Sequence, residues 1–349
     1  MSTITTDTFP AIPQTPPPPP PAPTKRKGGF AKKAFLTLLV LAVVGVFGTI
    51  GYLKWTEGKI DRISRSELTS LQTIAPGSGE PLNFLIIGTD DRSNLPDDWD
   101  EGAFGDFAGR RTDVMMLAHI VPGERIQLLS LPRDLKVDIE GHGTNRLNAA
   151  FVLGGPDLLI KTVQQATGIP VHHYVEIDFG GFGRIVDSLG GVTLDFPYAG
   201  RDLKSGFAVD AGTQTLNGEQ AVAFVRSRSY EELRDGSWQG TGGGDIARTQ
   251  RQQEVLVRLF DQVTSPSSAF NLPGFLPTVA DNITADDALG LALMADLGRS
   301  ALSLPSSSID RVTLPVKNSR GSDGRAYVVP TDDAKAVLIA FENGDPFPS

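Results

Sequence analysis

Residues 83–92 read Asn-Phe-Leu-Ile-Ile-Gly-Thr-Asp-Asp-Arg, and this stretch decides the fold. Residues 83–87 form a short apolar strand that stops at Gly88, and the polar series Thr89-Asp90-Asp91-Arg92 follows at once. Downstream, the apolar runs 114–121 and 126–131 flank Pro122-Gly123-Glu124, the pattern of a hairpin. Beyond them strands and helices alternate. Residues 156–166 read as a helix closed by Gly168, 171–177 as a strand, 182–189 as a helix and 192–196 as a strand. A helix starts over 218–224, and a long one covers 245–263. In it Ile246, Val255, Leu256, Leu259, Phe260 and Val263 recur at helical spacing. The stretch 266–277 reads as a loop; helices near 285–303 and 331–341 and a strand over 311–314 complete the domain. No internal repeat is evident. Strands alternating with helices imply a layered α/β domain.

Upstream, residues 34–53 (AFLTLLVLAVVGVFGTIGYL) carry no charge. A twenty-residue helix spans about 30 Å, the thickness of a bilayer's hydrocarbon core. The run is long for a signal peptide and no A-x-A site follows it, so a retained single-pass helix is expected. Lys25, Arg26, Lys27, Lys32 and Lys33 crowd its N-terminal flank, which places residues 1–33 in the cytoplasm and the rest outside. Pro16 to Pro21 are consecutive, so that tail is extended and solvated. The expected organisation is therefore a cytoplasmic tail over 1–33, a transmembrane helix over 34–53, a juxtamembrane spacer over 54–81 and an extracytoplasmic domain over 82–345.

The 349 residues are 40% hydrophobic and 21% charged, enough to bury a core. There is no cysteine, which excludes disulfides, thiolate metal sites and cysteine nucleophiles. The formal charge of −9 argues against a nucleic-acid partner, whose phosphates need a basic surface. That total is uneven: residues 1–33 carry +4 and the remainder −13.

The chain has no GxxxxGK[ST], no GxGxxG and no GxSxG, so nucleotide, dinucleotide and serine-hydrolase readings lose their support. Arginine stands out instead, with 14 against 3 lysines over residues 82–260. A GC-rich genome accounts for that ratio but not for the placement. Arg92 follows the first strand, Arg133 the LLSLP run, and Arg226 and Arg228 the AVAFV run. Ligands of open α/β sheets sit outside strand carboxyl ends, and a guanidinium fork grips phosphate bidentately. Arg248, Arg251 and Gln252 lie in the first turns of the long helix, where the dipole favours anions. Asp245 is a candidate N-cap of that helix or a candidate catalytic carboxylate. Asp90, Asp91, Asp113 and Asp134 interleave with the arginines. Surface salt bridges account for them, and so does a divalent cation shared with substrate phosphates. His172 and His173 flank a strand without a partner pattern and read as structural.

The ordered series NFLIIGTDDR, RRTDVMML, LLSLPRD, NRLNAAFVLGG, HYVEIDFGGFGRIVDSLGGV, LNGEQAVAFVRSR and DIARTQRQQEVL resembles the LytR–CpsA–Psr family of bacterial cell-wall phosphotransferases. The resemblance runs from about Leu82 to Val263. It implies a three-layer α/β/α domain behind a single N-terminal transmembrane helix. It also implies transfer of a glycopolymer, as its phosphate, from a polyprenyl (pyro)phosphate carrier to a peptidoglycan hydroxyl. Asp90 and Asp113 then match the aspartates associated with Mg2+ (or Mn2+) and the pyrophosphate. Arg92, Arg111, Arg133, Arg226, Arg228 and Arg248 match the arginines around the phosphates, and Arg251 and Gln252 match the RQQ run. Asp245 matches the aspartate that orients or deprotonates the acceptor, with Arg133 and Arg228 as its catalytic companions. Phe151, Val152 and Phe179 are candidates for a prenyl groove. Arg146 replaces a common lysine, and residues 230–244 are longer than usual. Hydrolysis of the pyrophosphate and a non-catalytic lipid-binding or regulatory anchor remain alternative readings.

Overall fold

The strand Leu82–Thr89 is apolar from Phe84 to Ile87 because it is central and covered on both faces. Leu85 and Ile87, both 0% exposed, pack with Met115, Leu117, Leu129 and Leu131 on one side of the sheet. Phe84 packs with Met116, Ala118 and Leu128 on the other. The period-2 alternation of a strand thus feeds two separate cores. Helices Leu147–Thr167 and Asp332–Asn343 close the first through Leu159, Val163, Val337 and Phe341. Helices Leu272–Asp281 and Leu291–Ser303 close the second through Ala280, Leu293 and Met294. Three layers, α/β/α, result. Leu85→Ala would cost about 2–5 kcal/mol, because a fully buried side chain leaves a cavity behind.

In this computed structural model the described residues are 51–74, 80–90, 95, 99, 112–265 and 272–348. The tail and nearly all of the expected membrane segment lie outside them, as do Asp91, Arg92 and Arg111. No described helix is long and apolar enough to cross a membrane.

The main sheet has seven strands in the order Asp61–Ile63, Thr284–Asp286, His173–Asp178, Leu82–Thr89, Thr112–Val121, Arg125–Ser130 and Ile309–Thr313. The expected hairpin is its antiparallel centre, with Met116 opposite Ser130 and Val121 opposite Arg125. Leu82–Thr89 runs parallel to His173–Asp178, and Arg125–Ser130 parallel to Ile309–Thr313. The sheet is therefore mixed.

Three expectations need correction. The first helix starts at Leu147, nine residues early, because two helical segments join across Gly154 and Gly155, the latter at φ +68°. Pro156 then opens the second segment, where its missing amide is no loss. The expected loop ends in a helix, Leu272–Asp281. Pro273 sits in its first turn, where proline is tolerated, and Pro277 lies inside it. The helix expected near 285–303 begins only at Leu291, after a short strand, Thr284–Asp286. The helix expected from residue 218 is present as Gly218–Arg226; it includes the AVAFV run and opens with a reciprocal capping box between Asn217 and Gln220. Residues 230–244 build a hairpin, Glu231–Arg234 with Ser237–Gly240, in a small four-stranded sheet.

Three of the four histidines are structural. The Asn83 amide donates to His172 Nδ1 at 2.9 Å, His119 Nδ1 lies 2.7 Å from Asn83 Oδ1, and His173 Nδ1 lies 3.0 Å from the fully buried Asp286.

Candidate active site

Several strand termini converge at one end of the sheet. Thr89 closes its strand opposite Thr112, which opens the next, and Thr89 also pairs with Asp178 at the end of the parallel neighbour. Arg125–Ser130 finishes at the same end, which brings Arg133 to Asp113. The helix Gly244–Thr264 crosses there. It is pinned by the buried Gln253, whose Nε2 donates to Ser130 Oγ at 2.9 Å and to the Val312 carbonyl at 2.8 Å. That pin sets the position of the helix N-terminus, where anions are favoured.

Five side chains meet as a result. Arg133 Nη1 donates to Asp113 Oδ1 at 2.5 Å. Arg248 Nη1 lies 3.9 Å from Asp113 Oδ2, and its Nη2 donates to the Asp113 carbonyl at 3.3 Å. Asp245 Oδ1 sits 2.7 Å from Arg248 Nη2, 3.6 Å from Arg228 Nε and 3.8 Å from Arg133 Nε. Three guanidiniums thus surround two carboxylates. Asp134 stands at the margin, 3.9 Å from Arg133 Nε and 3.3 Å from Arg146 Nη1.

Burial sets the electrostatics. Burial works against the Asp113 carboxylate, yet Arg248 and Arg133 outweigh it and hold its pKa below the ordinary value. Arg133 is shifted up: burial opposes its charge, and Asp113 with Asp245 and Asp134 overcomes that. Arg248, only 3% exposed, is shifted down because burial exceeds what Asp245 and Asp113 return. The Nε atoms of Arg133 and Arg248 are buried and have no hydrogen-bond acceptor among the described residues. Buried donors without acceptors are costly, and an anion would relieve them.

Asp245 is not the N-cap. Gly243, at φ +74°, takes that place without a side-chain bond, after Gly242 at +73° and before Gly244 at +46°. Three consecutive left-handed residues suit glycine alone and free the Asp245 carboxylate for the arginines. Arg251 and Gln252 bind carbonyls instead: Arg251 Nη2 donates to Ser227 O, and Gln252 Nε2 to Val225 O at 3.2 Å. The Arg226 guanidinium lies 5.2 Å over the Phe179 ring. Phe151 and Phe179 are core residues, whereas Val152 is 64% exposed.

A carboxylate that sequence reasoning missed holds this turn in place. Asp202, 1% exposed, accepts from Ser227 Oγ at 2.6 Å, the Arg228 amide at 2.9 Å and the Ser229 amide at 2.7 Å. Burial raises its pKa, these hydrogen bonds lower it, and the net shift is down. No motif marks Asp202, because its role depends on pairing distant in sequence.

A LytR_cpsA_psr family model matches residues 53–341. The chain belongs to the LytR–CpsA–Psr family. It is 33% identical over 231 residues to the probable cell wall biosynthesis protein LcpB of Corynebacterium glutamicum, covering 66% of this chain and 52% of that one. It is 30% identical over 214 residues to the polyisoprenyl-teichoic acid–peptidoglycan teichoic acid transferase TagU of Oceanobacillus iheyensis, covering 59% of each. The chain thus spans a little over half the length of these relatives. The structure of a LytR-Csp2A-Psr enzyme from Actinomyces oris superposes with a TM-score of 0.64 at 29% identity, covering 81% of this chain and 96% of that one. Within this LytR–CpsA–Psr domain, Arg133, Arg228, Arg248, Asp113 and Asp245 come together at one sheet end. Asp90 follows Thr89 on the strand beside Asp113.

Proposed function

We propose that this protein transfers a glycopolymer, as its phosphate, from a polyprenyl (pyro)phosphate carrier to a hydroxyl of peptidoglycan. The relatives named as teichoic acid transferases support the substrate class. One observation carries the chemistry: three guanidiniums around two carboxylates, with two buried Nε donors still lacking acceptors. That surplus of positive charge suits a pyrophosphate and not a neutral ligand. Preorganised donors of this kind favour the charge that develops as a phosphoryl group moves. In the step, the acceptor oxygen bonds to the phosphorus that carries the glycan. The bond from that phosphorus to the bridging oxygen breaks, and polyprenyl phosphate leaves with that oxygen and its electron pair. Asp245 stands among the arginines to orient the hydroxyl and to take its proton.

The described residues hold no group of three His, Asp or Glu able to cage a metal ion. Asp90 and Asp113, on neighbouring strand ends, fit the lighter demand of magnesium, which binds through one or two carboxylates and substrate phosphates. They would hold Mg2+ (or Mn2+), whose charge would offset the pyrophosphate. Residues 34–53 would anchor the protein by one membrane-spanning helix, with the N-terminus in the cytoplasm and the domain outside.

The test is Arg228→Ala, whose side chain is 49% exposed and so expendable for folding. Full-length protein in detergent, given lipid-linked glycan, magnesium and peptidoglycan, is followed by mass spectrometry of the products. Transfer should fall by about 100-fold or more. Undiminished transfer in the variant, or release of free glycan phosphate by the wild type whether or not peptidoglycan is present, overturns the reading. The second result would mark a hydrolase.

A further inference from the structure

The helix Gly244–Thr264 presents a second face. Asp245 and Arg248 turn to the arginine cluster, whereas Ile246, Gln250 and Glu254, at i, i+4 and i+8, line a separate cleft of about 540 Å3. The far wall comes from Asp195, Tyr230 and Glu232, and Gly242 with Gly243 closes one end. The long segment between Arg228 and Asp245 therefore builds much of this cleft. A volume of roughly 300–1,000 Å3 is usual for a small-ligand site.

Its chemistry is unlike that of the cluster. Three carboxylates, Asp195, Glu232 and Glu254, face a single guanidinium, Arg251. Arg251 is already committed to the Ser227 carbonyl and lies 5.3 Å over the Tyr230 ring. Such a lining repels a pyrophosphate. Ionised carboxylates only accept hydrogen bonds, so the cleft has acceptors in excess and calls for a ligand rich in hydroxyl donors. Asp195 takes one bond, from Thr213, and Glu232 pairs with Arg234. The side chains of Glu254 and Gln250 make no hydrogen bond or ion pair among the described residues, although the Glu254 charge acts on Arg251 and Tyr230.

We propose that this cleft binds a hydroxyl-rich glycan, the acceptor strand of the transfer proposed above, with the sugar at its Gly243 end directed to Asp245. The assignment rests on the transferase reading for the word acceptor; the glycan chemistry rests on the cleft itself. The polymer on the lipid carrier also bears hydroxyls, so the two sources must be separated. The probe is a soluble peptidoglycan disaccharide, titrated calorimetrically into full-length protein in detergent. Its KM is measured beside that of the lipid-linked donor. Glu254→Gln and Gln250→Ala should each raise the Kd and the acceptor KM about tenfold, the cost of one hydrogen bond to a charged or amide group. Their kcat, donor KM and melting temperature should stay as in wild type. Arg228→Ala should lose transfer and still bind the disaccharide normally. Unchanged disaccharide affinity in both cleft variants overturns the proposal, and so does a rise in donor KM alone, which would assign the cleft to the polymer being transferred. Weakened disaccharide binding in Glu254→Gln, together with a wild type that binds the disaccharide but transfers nothing, upholds the cleft and sinks the transferase reading.

Discussion

Arg133 and Arg248 share the same two carboxylates, yet the fold treats their charges oppositely. Arg133 bonds Asp113 at 2.5 Å, keeps 18% of its side chain exposed and has its pKa raised. Arg248 is 3% exposed, contacts Asp245 at 2.7 Å and Asp113 at 3.9 Å, and has its pKa lowered. A raised arginine pKa means that the folded state favours the charge; a lowered one means that folding penalises it. Replacing each by methionine keeps an unbranched apolar stem and removes the charge. Arg133→Met strips Asp113 of its shortest bond and leaves a poorly compensated buried carboxylate, a change worth about 3 kcal/mol or more. Arg248→Met leaves Asp113 with Arg133, and Asp245 with Arg228 and Arg133 at 3.6 and 3.8 Å. Losing the desolvation penalty should then balance the lost pairing to within about 1 kcal/mol. For a domain of this size, 1 kcal/mol is about 2 °C in Tm. Thermal unfolding at pH 7 by circular dichroism should show Arg133→Met melting about 6 °C low and Arg248→Met within about 2 °C of wild type. On the proposed function both should lose transfer by about 100-fold or more, because each would remove a donor to the phosphates. If Arg248→Met melts as low as Arg133→Met, lost pairing outweighs relieved desolvation at Arg248, and the inference from opposite shifts fails.

His172 must stay neutral, because its Nδ1 accepts from the Asn83 amide, and burial beside His173 lowers its pKa to about 4. The unfolded value is about 6.5, so its contribution is complete above that pH and is lost as pH falls towards 4, by up to about 3 kcal/mol. Urea midpoints measured across that window should fall in wild type and fall less in His172→Asn, whose Oδ1 can replace Nδ1; parallel profiles would refute the assignment. Asp202→Asn places an amide NH2 against amide donors on one side of a carboxylate that served both. It should cost about 1.5–3 kcal/mol and reduce transfer through displacement of Arg228, read as a fall in kcat beyond any change in Tm; kcat equal to wild type would show that the turn holds itself. Chelation with EDTA should abolish transfer and added Mg2+ or Mn2+ should restore it, whereas transfer that persists in EDTA removes the metal from Asp90 and Asp113.

What the sequence made legible follows from where local signals and tertiary demands agree. Leu82–Thr89 and its hairpin neighbours are buried on both faces, so composition alone exposed them. Leu147–Thr167 was half hidden because Gly154 and Gly155 break its helical pattern while the sheet behind holds both halves in line. Leu272–Asp281 was masked by its own prolines, and packing of Ala280 against the second core overrides that local signal. At the site, Arg133 and Arg228 could be singled out by their positions after apolar runs, and Arg248 by its place in the first turns of the long helix. Their mutual distances could not, since those depend on Gln253 pinning the helix and on Asp202 holding the 227–229 turn. The N-cap expectation for Asp245 failed for a local reason: the left-handed glycines before it already close the helix start.

The charge total of −9 bears on a nucleic-acid partner and not on the make-up of the site. Net charge predicts what a surface attracts at a distance, where screening over about 8–10 Å averages the groups together. Inside a site only a few ångströms wide, what matters is which charges are desolvated together. Here the helix Gly244–Thr264 separates two such environments: guanidiniums in excess on the side of Asp245 and Arg248, and carboxylates in excess on the side of Gln250 and Glu254. The transfer proposed above, from a phosphorylated donor to a hydroxyl-rich acceptor, would be served by that separation. A single mixed site would neutralise the arginines that the pyrophosphate requires, or would place its phosphates against carboxylates. With the two faces on one rigid helix, Asp245 sits at the boundary, one residue from Ile246 in the cleft and within 2.7 Å of Arg248 in the cluster. That is where the proposed transfer would pass the proton of the acceptor hydroxyl.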